Sequence, residues 1–433
     1  MPFELGASAP KKIAVIGAGI SGMGAAYMLA DGNAVTLFEA ERRLGGHART
    51  IMAGKNGDQP VDTGFIVFNY ANYPHLAALF DQLDVPVTKS NMSFGASIDG
   101  GRLEYGLHSV DAVFAQRKNA LSPKFLRMVR DIFRFNARAL KMAKANPDLT
   151  TGQFLELMGT GPWFQDFYLL PLTGAIWSTP TEKIMDFPAH AMIQFMENHA
   201  LLNHTGQHQW YTVDGGSVEY VRRLETAMIT KNVDLRLGAP IQAVRRTATG
   251  VEVKAWGGDW ETFDEVVFAT HSDDSLKMLS DPSEHERNAL GAVAYQPNDI
   301  VLHADTSIMP KIRKTWASWV YTEDRAAQSD RIDLTYWMNS LQPIPMDDPH
   351  FVTLNTKRTI REDLIYDQVT LRHPVYDLEA LAAQEQVRAF NGTNNTWFCG
   401  AWMKNGFHED GLSSAVDVVE AIRRAATLQV AAE

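Results

Sequence analysis

The stretch that most constrains what this chain can fold into is Lys12–Glu39. It opens on a short apolar run, Ile13–Ile16, of the kind a buried parallel strand needs. The run breaks into Gly17-x-Gly19-x-x-Gly22, and an Ala/Met/Leu-rich segment that reads as helix follows to about Ala30. A second apolar run, Ala34–Phe38, ends on Glu39. In such a strand–turn–helix–strand unit the first glycine allows the tight turn. The second lets a pyrophosphate approach the backbone, and the third lets helix and strand pack closely. The helix N-terminus, at Ile20 and Ser21, offers free N–H groups and the positive end of its dipole to phosphates. Glu39, 22 residues after Gly17, is placed to accept both hydroxyls of a ribose. Strand, helix and acid stand in the right order, so the unit predicts a bound dinucleotide.

Composition narrows the remainder. A chain of 433 residues with 45% hydrophobic content can bury sizeable cores and by length holds two domains. A net charge of −11 argues against a nucleic-acid partner. The one cysteine, Cys399, excludes an intramolecular disulfide and suits a reducing compartment. Residues 1–10 lack a basic start followed by an apolar core, and no apolar run approaches the roughly 18–20 residues of a membrane span. The expectation is a cytoplasmic protein, soluble or peripheral on the inner face of a membrane, with no metal site.

After Glu39 and Ala40 comes Arg42-Arg43-Leu44-Gly45-Gly46-His47-Ala48-Arg49-Thr50. Paired glycines flanked by arginines suit a loop that passes close to a phosphate and neutralises it. Val61-Asp62-Thr63-Gly64-Phe65 is a further place where backbone can approach a flat ligand. The C-terminal part carries Cys399-Gly400-Ala401-Trp402 and, beyond it, Gly411-Leu412.

Together the fingerprint, Arg43-x-Gly45-Gly46-x-x-x-Thr50 and the C-terminal block resemble the flavin amine-oxidase superfamily, which includes monoamine and polyamine oxidases, phytoene-type desaturases and fatty-acid isomerases. The resemblance implies FAD as the dinucleotide. It implies an α/β, amine-oxidase-like fold: a Rossmann-like FAD-binding domain (1–70, 210–285 and 390–433) interleaved with a substrate domain of antiparallel sheet and helices (71–209 and 286–389). It also implies that Ile241 lies by the adenine and Ala269 near the pyrophosphate. Gly400, Glu409, Gly411 and Leu412 would approach the flavin, where helix N–H groups stabilise developing negative charge. Phe407 stands about where amine oxidases place one aromatic beside the flavin ring. A second cage residue and an active-site lysine are not identifiable. Cys399, inside an expected strand, is poorly placed for a thioether to the flavin.

Residues 71–225 read mainly helical. Ser122–Asn146 is the clearest helix, with Phe125, Met128, Val129, Ile132, Phe133 and Leu140 on one side and Arg127, Arg130, Arg134, Arg138 and Lys141 on the other. This pattern fits either attachment to anionic headgroups or an ordinary core-facing helix with a solvated basic face. The tract Trp163–Met196 is bulky, aromatic and methionine-rich, suited to core or to the wall of an apolar tunnel. Trp177 and Trp402 join Phe407 as expected substrate-lining residues. Residues 290–389 alternate apolar and polar around Ile300–Leu302, Trp316–Tyr321 and Leu334–Met338, as an antiparallel sheet does.

Removing hydrogen from an acyl chain needs a proton acceptor within hydrogen-bond reach. His408 is the first candidate and Tyr168 the second; Glu409, His199, His204 and His208 are also in the running, although Glu409 is better suited to hydrogen-bonding the flavin chain. The signatures Ala175–Pro180 and Phe407–Gly411 resemble a bacterial lipid-modifying branch, similar to the desaturase of methyl-branched fatty acyl chains that leads to furan fatty acids. That implies a phospholipid acyl substrate, with O2 or another electron acceptor. An amine oxidase and a non-catalytic lipid escort are the alternatives.

Overall fold

The computed structural model describes residues 10–177, 184–199, 201–202, 208–324 and 331–432. β1 (Lys12–Ile16), α1 (Ile20–Leu29) and β2 (Ala34–Glu39) follow the fingerprint closely. β1 is the middle of a five-stranded parallel sheet, between β2 and Glu265–Phe268, with Asp234–Leu237 and Thr396–Phe398 at the edges. Ile13, Ala14 and Val15 are fully buried, so the strand is apolar on both faces, as a parallel strand covered by helices must be. α1 lies against the closing helix, His408–Ala432, on one side of this sheet.

The contact between α1 and β1 depends on one atom pair. A Cβ on Gly22 would stand 1.7 Å from the Gly17 carbonyl oxygen. Gly17 itself has φ +99, a conformation that glycine tolerates and other residues resist. The tight turn and the close helix are therefore one device.

A seven-stranded sheet forms the opposite wall, in the order Ile365–Val375, Ala294–His303, Phe351–Leu354, Asp333–Trp337, Trp319–Glu323, Phe94–Ile98 and Leu103–Gly106. All neighbours are antiparallel except Trp319–Glu323 with Phe94–Ile98. The last two strands come from a region expected to be mainly helical. Phe94–Ile98 is buried at every position, so it shows no alternation for a sequence pattern to catch. Under this sheet pack the helices of the middle segment, with Phe135, Phe154, Phe164 and Met192 in the core. The helix expected at 122–146 runs from Pro123 to Ala145, with Ser122 Oγ accepting from the Phe125 N–H at its start.

Gly22→Ala inserts a methyl group into the Gly17 carbonyl and should destabilise the chain by about 2 kcal/mol. Urea unfolding of the cofactor-free protein checks this; an unchanged midpoint would mean that α1 shifts without strain.

Candidate cofactor site and the groups around it

The N-terminus of α1 is built to receive an anion. Gly19 caps it without any side-chain hydrogen bond, and no acid stands in the first turn. A Cβ on Gly19 would meet nothing within 4 Å, so open space lies beyond its backbone. The paired-glycine loop closes over this point. Gly45 N–H donates to the Ala18 carbonyl at 2.8 Å, and a Cβ on Gly46 would lie 3.0 Å from Gly19 Cα. Glu39 ends β2 beside the turn, its Oε2 accepting from Ala18 N–H at 2.6 Å and its Oε1 from Glu41 N–H at 2.9 Å. Ala40 is exposed next to it, and Ile241 opens the strand Ile241–Thr247 nearby, packed against Phe38.

Arg43 and Arg49 of this loop are engaged by protein partners. Arg43 donates to the carbonyls of Gly46 at 2.9 Å and Ala48 at 3.3 Å, and pairs with Glu41 at 2.8 Å. It shapes the glycine loop from behind. Arg49 pairs with Asp367 on the seven-stranded sheet at 2.5 and 3.1 Å, tying loop to wall.

Asp62 is 1% exposed and gathers donors from three distant segments. Its carboxylate accepts from Thr50 Oγ1 at 2.6 Å, Ser217 N–H at 2.9 Å, Ser217 Oγ at 2.7 Å and Gln342 Nε2 at 3.0 Å. Burial pushes its carboxyl up to about 6 against these hydrogen bonds. Two residues on, Gly64 fits only because it lacks a side chain: a Cβ would lie 1.9 Å from the His47 carbonyl oxygen. Phe65 N–H donates to that same oxygen at 2.9 Å.

Phe65 stacks on His408 with ring centroids 4.0 Å apart and planes at 12°. His408 Nε2 lies 2.6 Å from the Tyr220 hydroxyl. The closing helix begins here and packs along α1: a Cβ on Gly411 would touch Ile20 and Ser21 at 2.9 Å, and Leu412 fills the space over Gly24. Gly400, with φ +153, donates its N–H to Ser414 Oγ at 2.8 Å. Ala269 follows the strand Glu265–Phe268 and hydrogen-bonds back to the Ile16 carbonyl at 2.8 Å. Two helix N-termini and three glycine turns thus converge on one place.

One expected residue has a further role and one is corrected. Glu409, expected by the flavin chain, accepts from His75 N–H at 3.0 Å and Leu76 N–H at 2.9 Å at the start of helix Pro74–Gln82. A carboxylate is the natural cap for those free donors. Trp402, expected to line the substrate, is 2% exposed in the core beneath the parallel sheet, with Nε1 donating to the Thr270 carbonyl at 3.1 Å. Cys399 is fully buried, and burial pushes its thiol up to about 12.

Phe407 stacks on Phe195 at 5.1 Å and 16°, and His199 stacks on Phe195 at 3.9 Å, with its Nδ1 on the Phe195 carbonyl. The aromatic partner that the sequence did not disclose for Phe407 is thus Phe195, on helix Ala189–Asn198. Tyr168 is 3% exposed, its ring 5.3 Å from Phe164, and burial holds its phenol protonated. It sits in the apolar core of the middle segment, whereas the His408 partners Tyr220 and Phe65 pack in the core around α1. Trp177 ends the helix Leu170–Trp177, but its side chain, like Ser178–Pro180 and His204, lies outside the described residues. His208 is half-buried at the edge of that gap.

A cluster of three histidines went unrecognised in the sequence. His47, His271 and His373 come from the glycine loop, the turn after Ala269-Thr270 and the long strand Ile365–Val375. Their rings stand 5.9 and 5.6 Å from His47. His47 Nε2 contacts the Arg372 carbonyl at 3.2 Å, and His373 Nδ1 contacts Asn298 Nδ2 at 3.1 Å. His271 stacks on Tyr295 at 4.3 Å. His47 and His271 each directly follow a cofactor-loop motif, which was the available signal; nothing local marks His373.

Burial lowers His271, His373 and His408 to about 3, and lowers His47 as well. An unfolded histidine titrates near 6.5, so between those values the unfolded chain binds protons that the folded chain does not. Stability is therefore intact above pH 6.5 and declines as pH falls toward 3. At pH 5 one such histidine accounts for at most about 2 kcal/mol. His408→Gln should lose less stability than the parent between pH 7.5 and pH 5 in urea titrations. Equal losses would show that His408 is not held neutral.

A family model described as flavin containing amine oxidoreductase matches residues 20–307. Over 51 residues the chain is 49% identical to an L-amino-acid oxidase of Bothrops pauloensis, which is 12% of this chain and 10% of that protein. The L-amino acid oxidase Lm29 of Lachesis muta matches to the same extent, so the chain spans about a tenth of the length of these curated relatives. A CLA-producing fatty acid isomerase from P. acnes has the same fold at a TM-score of 0.68 and 16% identity, covering 96% of this chain and 99% of that one. A putrescine oxidase with putrescine bound does so at 0.66 and 13%, covering 96% and 99%. The uncapped α1 N-terminus, the open space over Gly19 and the placement of Glu39 fit such a dinucleotide. The chain belongs to the flavin-containing amine oxidoreductase family, and the dinucleotide of its glycine cradle is FAD.

Proposed function

We propose that the protein is an FAD-dependent desaturase of fatty acyl chains. Its proposed substrate is a methyl-branched unsaturated acyl chain of a membrane phospholipid, and O2 or another acceptor takes up the electrons. The observation that carries this reading is the wall next to the cofactor site. The Phe407–Phe195–His199 stack there is built on helix Ala189–Asn198, whose Met192, Ile193 and Met196 belong to the apolar core of the middle segment. The carboxylates beside Phe407 are already engaged: Glu409 caps a helix, and Asp410 accepts from the Phe407 N–H at 2.9 Å. An apolar chain suits such a wall better than a cationic amine, which requires an unengaged negative charge.

Bound FAD supplies the acceptor for a hydride from an acyl C–H bond. His408 is the group we assign to the second hydrogen. Burial keeps it neutral, Phe65 fixes its ring plane and Tyr220 engages Nε2, which leaves Nδ1 for the proton. For that role Nε2–H must donate to the Tyr220 oxygen, since a neutral imidazole carries one N–H. Tyr220 then sets the tautomer.

The test is lipid extracts from cells with and without the protein, analysed for methyl-branched conjugated dienes. Dienes should appear, and His408→Asn should lower their formation by roughly 10²–10⁴-fold while the yellow cofactor is retained. Unchanged chains together with peroxide release from putrescine or aromatic amines would overturn the reading in favour of an amine oxidase. A colourless purified protein would point to a lipid escort.

A further inference from the structure

The segment from Arg117 to Lys144 holds nine Lys and Arg against one Asp, in a chain whose net charge is −11. Most of it is the helix Pro123–Ala145, whose inner line is Phe125, Met128, Asp131, Phe135, Ala139 and Ala143. The single acid is on that inner line. Asp131 is 0% exposed; it accepts from Gly161 N–H at 2.9 Å and pairs with Arg130 at 3.1 Å and Arg127 at 3.6 Å. Its charge is used to anchor the loop at Gly161, and the outer face of the helix carries no acid.

That outer face presents Lys124, Arg127, Arg130, Arg138, Lys141 and Lys144, all exposed. Interspersed with them are Leu126 at 44% and Phe133 at 52% exposure, seven residues apart and so nearly superimposed down the helix; Leu121, at 86%, precedes the first turn. The helical pattern assigned Phe133 to the buried side, but Phe135 fills that position and Phe133 stands outside among the arginines. One exposed leucine would require no explanation. Three large apolar side chains set in an acid-free cationic face have the composition of a helix that lies in the headgroup plane of a bilayer.

We propose that this face docks the protein on an anionic lipid surface, with the cations at the level of the phosphates and Leu121, Leu126 and Phe133 reaching the acyl boundary. Two features favour a bilayer over a nucleic acid. Phosphate backbones have no use for exposed leucine and phenylalanine, and the acidic remainder of the molecule repels a long polyanion while orienting the basic face toward a flat one. The inference deepens the acyl-chain reading, on which it rests only for the reason why the protein should visit a membrane.

The experiment is co-sedimentation of the FAD-loaded protein with vesicles of phosphatidylcholine alone and of phosphatidylcholine with phosphatidylglycerol. Binding should require phosphatidylglycerol and weaken in high salt. The triple variant Arg130→Glu, Arg138→Glu, Lys141→Glu should lower partitioning by on the order of 100-fold or more. Phe133→Ser should lower it by about tenfold. Flavin absorbance and urea midpoint serve as folding controls. Equal binding to both vesicle types, an unaffected triple variant or an unaffected Phe133→Ser would each overturn the proposal, as would tighter retention on DNA than on the anionic vesicles. Docking without diene formation would sink only the acyl-chain reading, and dienes without docking only this one.

Discussion

Asp62 is the group on which the arrangement of the site depends. A buried carboxylate is costly unless every lone pair finds a donor. Here the donors are Thr50 from the strand after the glycine loop, Ser217 from the start of helix Val218–Thr230 and Gln342 from beside the seven-stranded sheet. One side chain therefore fixes three segments relative to each other. Arg49 repeats the tie on the other side of the same loop through Asp367. With the loop anchored at Arg49 and Thr50, the His47 carbonyl holds Phe65 through its N–H, and Phe65 in turn stacks on His408.

The cofactor half of this architecture was legible because its signals are local. Gly17, Gly19, Gly22 and Glu39 lie within one strand–helix–strand unit, and backbone geometry alone explains their spacing. Asp62 could be noticed as part of a Gly-containing turn, but its role could not, since its donors lie 155 and 280 residues away. The helix-capping role of Glu409 was hidden for the same reason: its partners, His75 and Leu76, belong to a helix more than 300 residues earlier. The histidine cluster is the extreme case, three residues brought together only by the docking of the long strand Ile365–Val375 against the loops.

Burial also reverses what residue type alone suggests. A stripe of aromatic and charged residues at helical spacing assigned Phe133 to the core, yet a shift of two positions puts Phe135 inward and leaves Phe133 on the outer face. Asp131, the one acid of a basic helix, is an interior anchor. Trp402 looked like a wall residue because of its place in a motif, but a tight turn at Gly400 folds it back under the sheet.

The closing helix has a consequence for how the molecule comes into being. Thr396–Phe398 supplies an edge of the parallel sheet, and Gly411 and Leu412 seat against α1 beside the glycine turn. The glycine turn of the cradle is thus synthesised long before the segment 396–412 that completes it. Contacts of such sequence separation form slowly and cannot form during most of translation. An emerging chain presents Gly17–Gly22 long before it can grip a nucleotide, so cofactor capture waits until segment 396–412 has been made and has docked on α1.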